Sequence, residues 1–400
     1  MEAGLRKEIL KRGGPQVKWP SEPLLGSYYD EEEIEVIVKT IRESMDPTVG
    51  FGFICPEIER FEAEFARYCG TADAVSINGA GTGLDMAMMC LDLEPGDEVI
   101  CPSINYRAAP LSIVGQGGRW VPCEIDPCTF QADPNDIEKR ITPRTRAIYP
   151  VHMNGLSAPI ADYLTLAERY PHPKHGPLKV IGDAARALGG GYRGNKIGKD
   201  GWMTVFSFHT QKNMTTLGEG GAVTTDDLAM ARRMRQLRQF GGAEVWGSNY
   251  KMTKVQAAVG SVQLRKLDKM IESRRKVAQA RNEMLADLPE LTCPYEPPDC
   301  VHTYYLYTLL VPKAWARAKR DQLQQILREE YKVDSVVANM PLHIVNPFLR
   351  EHVGDMCLPV SEETAARLFC VPMHPCMSEE DNAYICAALW AVVERLRMEG

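Results

Sequence analysis

Val205-Phe-Ser-Phe-His-Thr-Gln-Lys212-Asn-Met-Thr-Thr-Leu-Gly-Glu-Gly-Gly221 is the stretch that decides the reading of this chain. An aromatic, β-prone segment, Val205 to Phe208, runs to a lone lysine, and a glycine-rich turn follows. Upstream, Leu178-Lys-Val-Ile181 is a second short apolar segment, and it runs into Gly182-Asp183. Ligands of open α/β sheets sit beyond the carboxyl ends of strands. A lysine and an aspartate at two such ends suit the chemistry of pyridoxal phosphate (PLP). The lysine amine forms a Schiff base with the cofactor's aldehyde. The carboxylate keeps the pyridine nitrogen protonated, so the ring can draw in electrons. Ala184 and Ala185 are small enough to let a flat ring approach.

A phosphate needs backbone N–H donors at a helix start. Asn78-Gly-Ala-Gly-Thr82-Gly lies between a strand predicted at Ala74 to Ile77 and a helix predicted at Leu84 to Leu91. The Gly81-Thr82 region supplies close backbone approach and a hydroxyl, and Ser207 adds another hydroxyl. Two other motifs carry less. Gly189-Gly-Gly191-Tyr-Arg-Gly194 matches a dinucleotide fingerprint, but the polar residues 195–200 do not read as the amphipathic helix that it needs. His172-Pro-Lys-His175 has metal-pair spacing but reads as a surface loop without a carboxylate beside it.

Around these motifs, short apolar strands alternate with helices. Strands are expected at 98–101, 119–123, 146–151, 178–181, 205–208 and 221–224, and helices at 30–42, 56–68 and 160–170. This pattern predicts an α/β domain with a buried, mostly parallel sheet. Val255 to Ser273 reads as a long helix capped by Thr253, with a more polar continuation over 274–281. Beyond it come a strand at 304–311, a helix with Leu323, Ile326, Leu327 and Tyr331 on one face, and a last helix from Ser378. The expected organisation is an irregular arm over 1–25, a large cofactor-binding domain over 26–280 and a small C-terminal α+β domain over 281–400.

The 400 residues are 44% hydrophobic and 25% charged, as in an ordinary globular protein. A net charge of −7 argues against nucleic acid or an anionic membrane as partner. No apolar run approaches a membrane span. Twelve cysteines without a Cys-x-x-Cys pair, behind a charged N-terminus, read as thiols of a reducing cytoplasm rather than as disulfides or a zinc site. Cys69, Cys90 and Cys386 fall in apolar helical patterns.

These motifs together resemble the DegT/DnrJ/StrS-type PLP-dependent sugar aminotransferases over nearly the whole chain. Phe61-Glu62, Pro102-Ser-Ile-Asn-Tyr106, Val151-His-Met-Asn-Gly155, Gly182-Asp-Ala-Ala-Arg-Ala-Leu-Gly189 and Phe206-Ser-Phe-His-Thr-Gln-Lys212 carry the resemblance. So do Gly247-Ser-Asn-Tyr-Lys-Met252, Gln256-Ala-Ala-Val-Gly260 and Pro341-Leu-His343. It implies the fold-type I aminotransferase architecture and a homodimer with shared active sites. It also implies that Lys212 carries the cofactor and Asp183 pairs with the ring nitrogen. Tyr106 would stack on the ring, and Ser207, Gly81 and Thr82 would bind phosphate. Asn249 would reach the phosphate from the other subunit, and Lys251 and His343 would meet substrate.

Three positions depart from the family pattern. Arg186 replaces the usual Gln or His near the cofactor's ring oxygen. Lys251 replaces a common Arg and lacks its planar fork for an acidic donor. Leu217 is an extra residue in the turn after the lysine. The expected activity is transfer of an amino group from glutamate or glutamine to a keto sugar, nucleotide-linked or phosphorylated, or to a ketocyclitol. The alternatives are a dehydratase, which Lys212 disfavours, or an epimerase on the same scaffold, and a regulatory protein without turnover, against which Lys212 and Asp183 speak.

Overall fold

The computed structural model describes residues 1–399. Its centre is a seven-stranded sheet: β1 (Asp73–Ile77), β2 (Glu98–Pro102), β3 (Arg119–Cys123), β4 (Thr145–Ile148), β5 (Lys179–Asp183), β6 (Met203–Ser207) and β7 (Gly221–Thr225). The spatial order is β1-β7-β6-β5-β4-β2-β3. Neighbours from β6 to β3 pair in parallel. Only β7 runs against its neighbours, β1 and β6. That reversal brings Gly221 level with Ile77 and Ser207. The chain thus leaves β6, passes through the lysine turn and re-enters the sheet at the same edge. This is the expected α/β, mostly parallel fold.

Strand alternation explains the aromatic residues around Ser207. Phe206 packs edge-on against Phe65, with ring centroids 5.2 Å apart, and Phe208 against Phe61 at 5.6 Å. Phe61 and Phe65 come from the helix Pro56–Cys69 and are fully buried. Four rings therefore clamp the strand that ends at the lysine turn. Beneath the same helix, Glu62 is buried and accepts hydrogen bonds from the Ser76 N–H at 2.9 Å, the Ser76 hydroxyl at 2.8 Å, Arg235 at 2.8 Å, and Arg238.

The long helix is continuous over Lys254–Leu285, and Thr253 and Gln256 form a reciprocal capping box. Its more polar continuation reaches the C-terminal part through buried arginines. Arg274 and Arg281 are fully buried. Arg274 donates to the Gly26 carbonyl. Arg281 donates to Asn382 Oδ1 at 2.9 Å and to the Pro372 carbonyl at 3.1 Å. The arginines thus tie the helix to the N-terminal arm and to the last helix.

The C-terminal part is built on the antiparallel pair β8 (Tyr307–Leu310) and β9 (Leu368–Val371), covered by the helices Ala318–Tyr331 and Glu379–Met398. The strand expected from 304 begins only at Tyr307, because residues 303–306 are held elsewhere. The arm is not irregular throughout: Ala3–Leu10 is helical and packs on the last helix, where Arg6 lies 4.4 Å from the centre of the Trp390 ring. Asp381 does not complete a capping box. Its carboxylate accepts instead from the Gln16 N–H at 2.6 Å, the Val17 N–H at 3.1 Å and Trp19 Nε1 at 2.8 Å. Gly191–Tyr192 and Asn195–Lys196 pair as a hairpin, so the glycine fingerprint opens no helix. All twelve cysteines are free thiols. Among the described residues no helix is long and apolar enough to cross a membrane.

Candidate active site

The site lies at the carboxyl edge of the sheet. Asp183 closes β5 and faces Val205 of β6. It is 5% exposed, and its Oδ1 accepts from the Ala185 N–H at 2.9 Å. Burial raises its pKa above the ordinary carboxyl value. The Ala185 N–H and the charges of Lys212 and Arg186 offset only part of that rise. Among the described residues this carboxylate has no hydrogen-bonded cation, and a protonated ring nitrogen would supply one.

Lys212 sits five residues beyond β6 in a turn tied down on all sides. The Lys212 N–H donates to the His209 carbonyl at 2.9 Å, Thr216 N–H to Phe208 at 3.1 Å, and Phe208 N–H to Gly220 at 2.8 Å. Asn213 Nδ2 donates to the Leu188 carbonyl at 2.9 Å. The extra residue of this turn, Leu217, is exposed and left-handed with φ 62°. The Lys212 amine has one hydrogen-bond partner among the described residues, the Tyr305 hydroxyl at 3.2 Å.

The helix after β1 starts earlier than expected, at Ala80, so Gly81 and Thr82 form its first turn. Its N-cap is Gly79, and no side chain caps it. No side chain thus competes for the first N–H groups, and a helix start of this kind favours an anion. A Cβ at Gly81 would meet nothing within 4 Å. The Thr82 hydroxyl donates to Asn78 Oδ1 at 2.8 Å, and the Ser207 Oγ accepts from the His209 N–H at 3.3 Å. Tyr106 follows β2 and is 54% exposed, with its ring free to cover a ligand.

The other expected residues fall less simply. Arg186 turns inward: it donates to Asn339 Oδ1, and its guanidinium lies 6.0 Å from the Tyr305 ring centre. Asn339 Nδ2 donates in turn to Asn154 Oδ1 at 2.9 Å. Asn249 is exposed, while the carbonyl of its neighbour Tyr250 accepts from the Asn78 N–H at 2.8 Å. The Lys251 amine is buried without a hydrogen bond, 5.5 Å from the Phe53 ring and 5.1 Å from that of Phe240. Burial, with some help from the Arg238 charge, lowers its pKa.

His343, expected at the substrate, is engaged by protein groups on both sides of its ring. It is 2% exposed, with Nδ1 2.6 Å from the Ser103 hydroxyl and Nε2 3.1 Å from Glu362 Oε1. Both ring nitrogens are engaged, so it braces the loop that carries Tyr106. Sequence reading missed Tyr305, Asn339 and Asn154. A cleft of about 730 Å³ lined by Glu62, Arg67, Asp73, Arg235 and Arg238 does not include Lys212.

An amine on a fixed turn, a buried carboxylate on the neighbouring strand and an uncapped helix start can together hold an aldehyde, a ring nitrogen and a phosphate. That donor set fits PLP, and the protein is a PLP-dependent aminotransferase. The chain belongs to the DegT/DnrJ/EryC1/StrS aminotransferase family, whose sequence profile matches residues 30–390. It is 35% identical over 347 residues to the dTDP-3-amino-3,4,6-trideoxy-alpha-D-glucose transaminase of Streptomyces venezuelae, covering 85% of this chain and 88% of that one. It is 36% identical over 340 residues to the GDP-perosamine synthase of Caulobacter vibrioides, covering 83% and 89%. The PLP form of the putative sugar aminotransferase Spr1654 from Streptococcus pneumoniae superposes with a TM-score of 0.86 at 25% identity, covering 94% of this chain and 99% of that one.

Proposed function

We propose that the enzyme moves the amino group of glutamate or glutamine to the ketone of a nucleotide-linked sugar. The observation that carries this reading is the pairing of Asp183 with the strand that leads into Lys212, beside an uncapped helix start. The likeness to relatives named for dTDP- and GDP-linked sugars supports the acceptor class. When bound, PLP supplies an aldehyde that takes up the amino group and a ring that stabilises charge at the adjoining carbon.

The residues of this chain do the rest. Lys212 holds the cofactor through its amine. Once that amine is displaced by the donor, it carries the proton that leaves the donor's α-carbon. Asp183 keeps the ring nitrogen charged. The first-turn N–H groups at Ala80 to Thr82, with the Thr82 and Ser207 hydroxyls, hold the phosphate. Tyr106 lies over the ring. Lys251 holds an acidic group of donor or acceptor.

The working unit of this reading is a homodimer in which Asn249 of one copy completes the site of the other. Ile34, Val38 and Ile41 are exposed along one stripe of the helix Glu31–Ser44, Met45 continues it at the C-cap, and Phe51, Phe53 and Trp246 add exposed apolar area. A single copy leaves this surface to water, and apolar area of that extent favours burial against another chain.

The test is a screen of glutamate and glutamine against nucleotide-linked, phosphorylated and free keto acceptors. It is paired with borohydride reduction and peptide mapping. Pyridoxyl label on Lys212 and turnover with a nucleotide-linked ketone are expected. A label on another lysine, or turnover with free cyclitol ketones alone, overturns the reading.

A further inference from the structure

Tyr305 is a buried residue of the site to which the chemistry above gives no task. It is 6% exposed, and its hydroxyl is the one group that receives the Lys212 amine, at 3.2 Å. The same amine stands 4.9 Å from the centre of the Tyr305 ring. The Arg186 guanidinium also lies near that ring, 6.0 Å from the centre. One buried phenol thus has two cations beside it.

Its backbone is also fixed. The Thr303 N–H donates to the Gly155 carbonyl at 2.9 Å and the Leu306 N–H to the Asn154 carbonyl at 3.2 Å. A Cβ at Gly155 would come within 2.7 Å of the Tyr305 nitrogen, so the turn after β4 and the Tyr305 segment are in close contact. Arg186 is held by Asn339, which is held by Asn154. The elements that fix Tyr305 are therefore the ones that fix Arg186.

From this arrangement we infer that Tyr305 is the positioning partner of the Lys212 amine whenever that amine is free of the cofactor. The inference rests on Lys212 being the cofactor lysine. A neutral amine accepts a hydrogen bond from the Tyr305 hydroxyl, and its lone pair is thereby presented in one direction. When Lys212 takes the proton from the donor's α-carbon it becomes an ammonium, and the hydrogen bond reverses: an N–H of Lys212 now donates to the phenol oxygen. When Lys212 releases the proton to the cofactor carbon, the first arrangement returns. The proton moves from carbon to nitrogen to carbon, and Tyr305 makes and breaks no covalent bond. Electrostatics fit this role. Burial raises the phenol's pKa, but the charges of Lys212 and then Arg186 outweigh burial and leave it below the ordinary tyrosine value. The larger lowering comes from a charged Lys212, so it belongs to the ammonium state, in which the phenol oxygen accepts the Lys212 N–H.

The experiment compares wild type, Tyr305→Phe and Arg186→Gln, each checked for folding by its thermal transition. In the protein stripped of cofactor, the rate of acetylation of Lys212 is followed against pH by mass spectrometry. The pH midpoint is expected to move in Tyr305→Phe. The ultraviolet difference spectrum between wild type and Tyr305→Phe is expected to show one phenol that ionises below the remaining tyrosines, with its midpoint raised in Arg186→Gln. In the loaded protein, α-deuterated glutamate reports proton transfer. Tyr305→Phe is expected to slow that half-reaction about tenfold or more and to enlarge its isotope effect.

An unchanged Lys212 acetylation profile and isotope effect in a folded, cofactor-loaded Tyr305→Phe overturn the inference while leaving the proposed function intact. Should Tyr305→Phe fail to fold, 3-fluorotyrosine placed at 305 keeps the ring and acidifies the hydroxyl, and an unmoved Lys212 acetylation midpoint then overturns the inference. Absence of pyridoxyl label on wild-type Lys212 overturns the proposed function first, and this inference with it.

Discussion

Asp183 and Val205 are direct partners across β5 and β6, and the Ala184 N–H donates to the Val205 carbonyl at 2.8 Å. The carboxylate and the strand that leads to Lys212 are thus locked by the sheet ladder, not by a flexible loop. The separation of the two working groups is set by two adjacent strand ends.

Lys212→Ala is expected to abolish transamination without unfolding the protein, because the amine is both anchor and proton carrier. Asp183→Asn is expected to lower turnover about 10²- to 10³-fold, the scale of losing one preorganised electrostatic contact.

The same Asp183→Asn change has an opposite effect on the protein without cofactor. A carboxyl whose pKa is raised by folding is deprotonated more readily in the unfolded chain. Stability therefore falls as pH rises from the ordinary carboxyl range through the folded value, and stays lower above it. At neutral pH the neutral amide removes that penalty. The cofactor-free variant is expected to melt above cofactor-free wild type, as measured by calorimetry. Added PLP is expected to narrow or reverse the gap.

Acid sensitivity follows from buried imidazoles. Burial pulls His152 and His302 down to about 3, the latter with help from Arg275. In the unfolded chain each takes up a proton near its ordinary value of 6.5. Stability is full above that value and is lost as pH falls toward the folded value, by up to about 1.4 kcal/mol per pH unit for each group. The urea midpoint is expected to drop from pH 7 to pH 5. His302→Gln should flatten the drop by one proton.

Glu62→Ala leaves Arg238, itself 3% exposed, without its buried carboxylate. Removing one partner of a buried pair costs about 3–5 kcal/mol. Equilibrium unfolding in urea should show that loss, although the residue is remote from Lys212 in the fold.

Leu217→Gly is expected to raise stability modestly. A left-handed backbone is unfavourable for leucine by about 1–2 kcal/mol relative to its ordinary conformations, and glycine adopts it freely. The side chain is exposed and removes little area from water when folded. A lower melting temperature in the variant would show that the side chain has a partner in the assembly.

Met45→Asp together with Ile41→Asp is expected to produce monomers in sedimentation, with loss of activity. Mixing inactive Lys212→Ala with inactive Asn249→Ala should restore part of the activity, since one site of the mixed dimer is intact. Full activity of the monomeric variant contradicts the shared-site reading.

Much of the sheet was legible because buried parallel strands are short apolar runs, and their ends carried Asp183 and Lys212. The start of the phosphate-side helix was misread by one turn. Its first residues, Ala80 to Gly83, are small and glycine-rich, and so give no apolar periodicity. The burial of Arg274 and Arg281 was not legible, because their carbonyl partners are distant in sequence. Tyr305 was invisible for a related reason. It stands among Tyr304, Leu306 and Tyr307, where an aromatic residue reads as strand core, and its partner is 93 residues upstream.

The hold of Asp381 on residues 16–19 has a consequence for how the protein comes into being. The same arm runs on to Leu24 and Gly26, where the Thr210 hydroxyl donates to the Leu24 carbonyl at 2.8 Å and the Gly26 N–H donates to the Thr210 carbonyl at 2.8 Å. Gly26 lies against the backbone of Gln211 and Lys212 so closely that a Cβ there would overlap the Gln211 carbonyl. The arm precedes the strands of the sheet in the chain, and Asp381 follows them. A nascent chain can therefore form the sheet before the arm's distant anchor exists. Until Asp381 has been made, the arm that braces the lysine turn lacks the hold on residues 16–19.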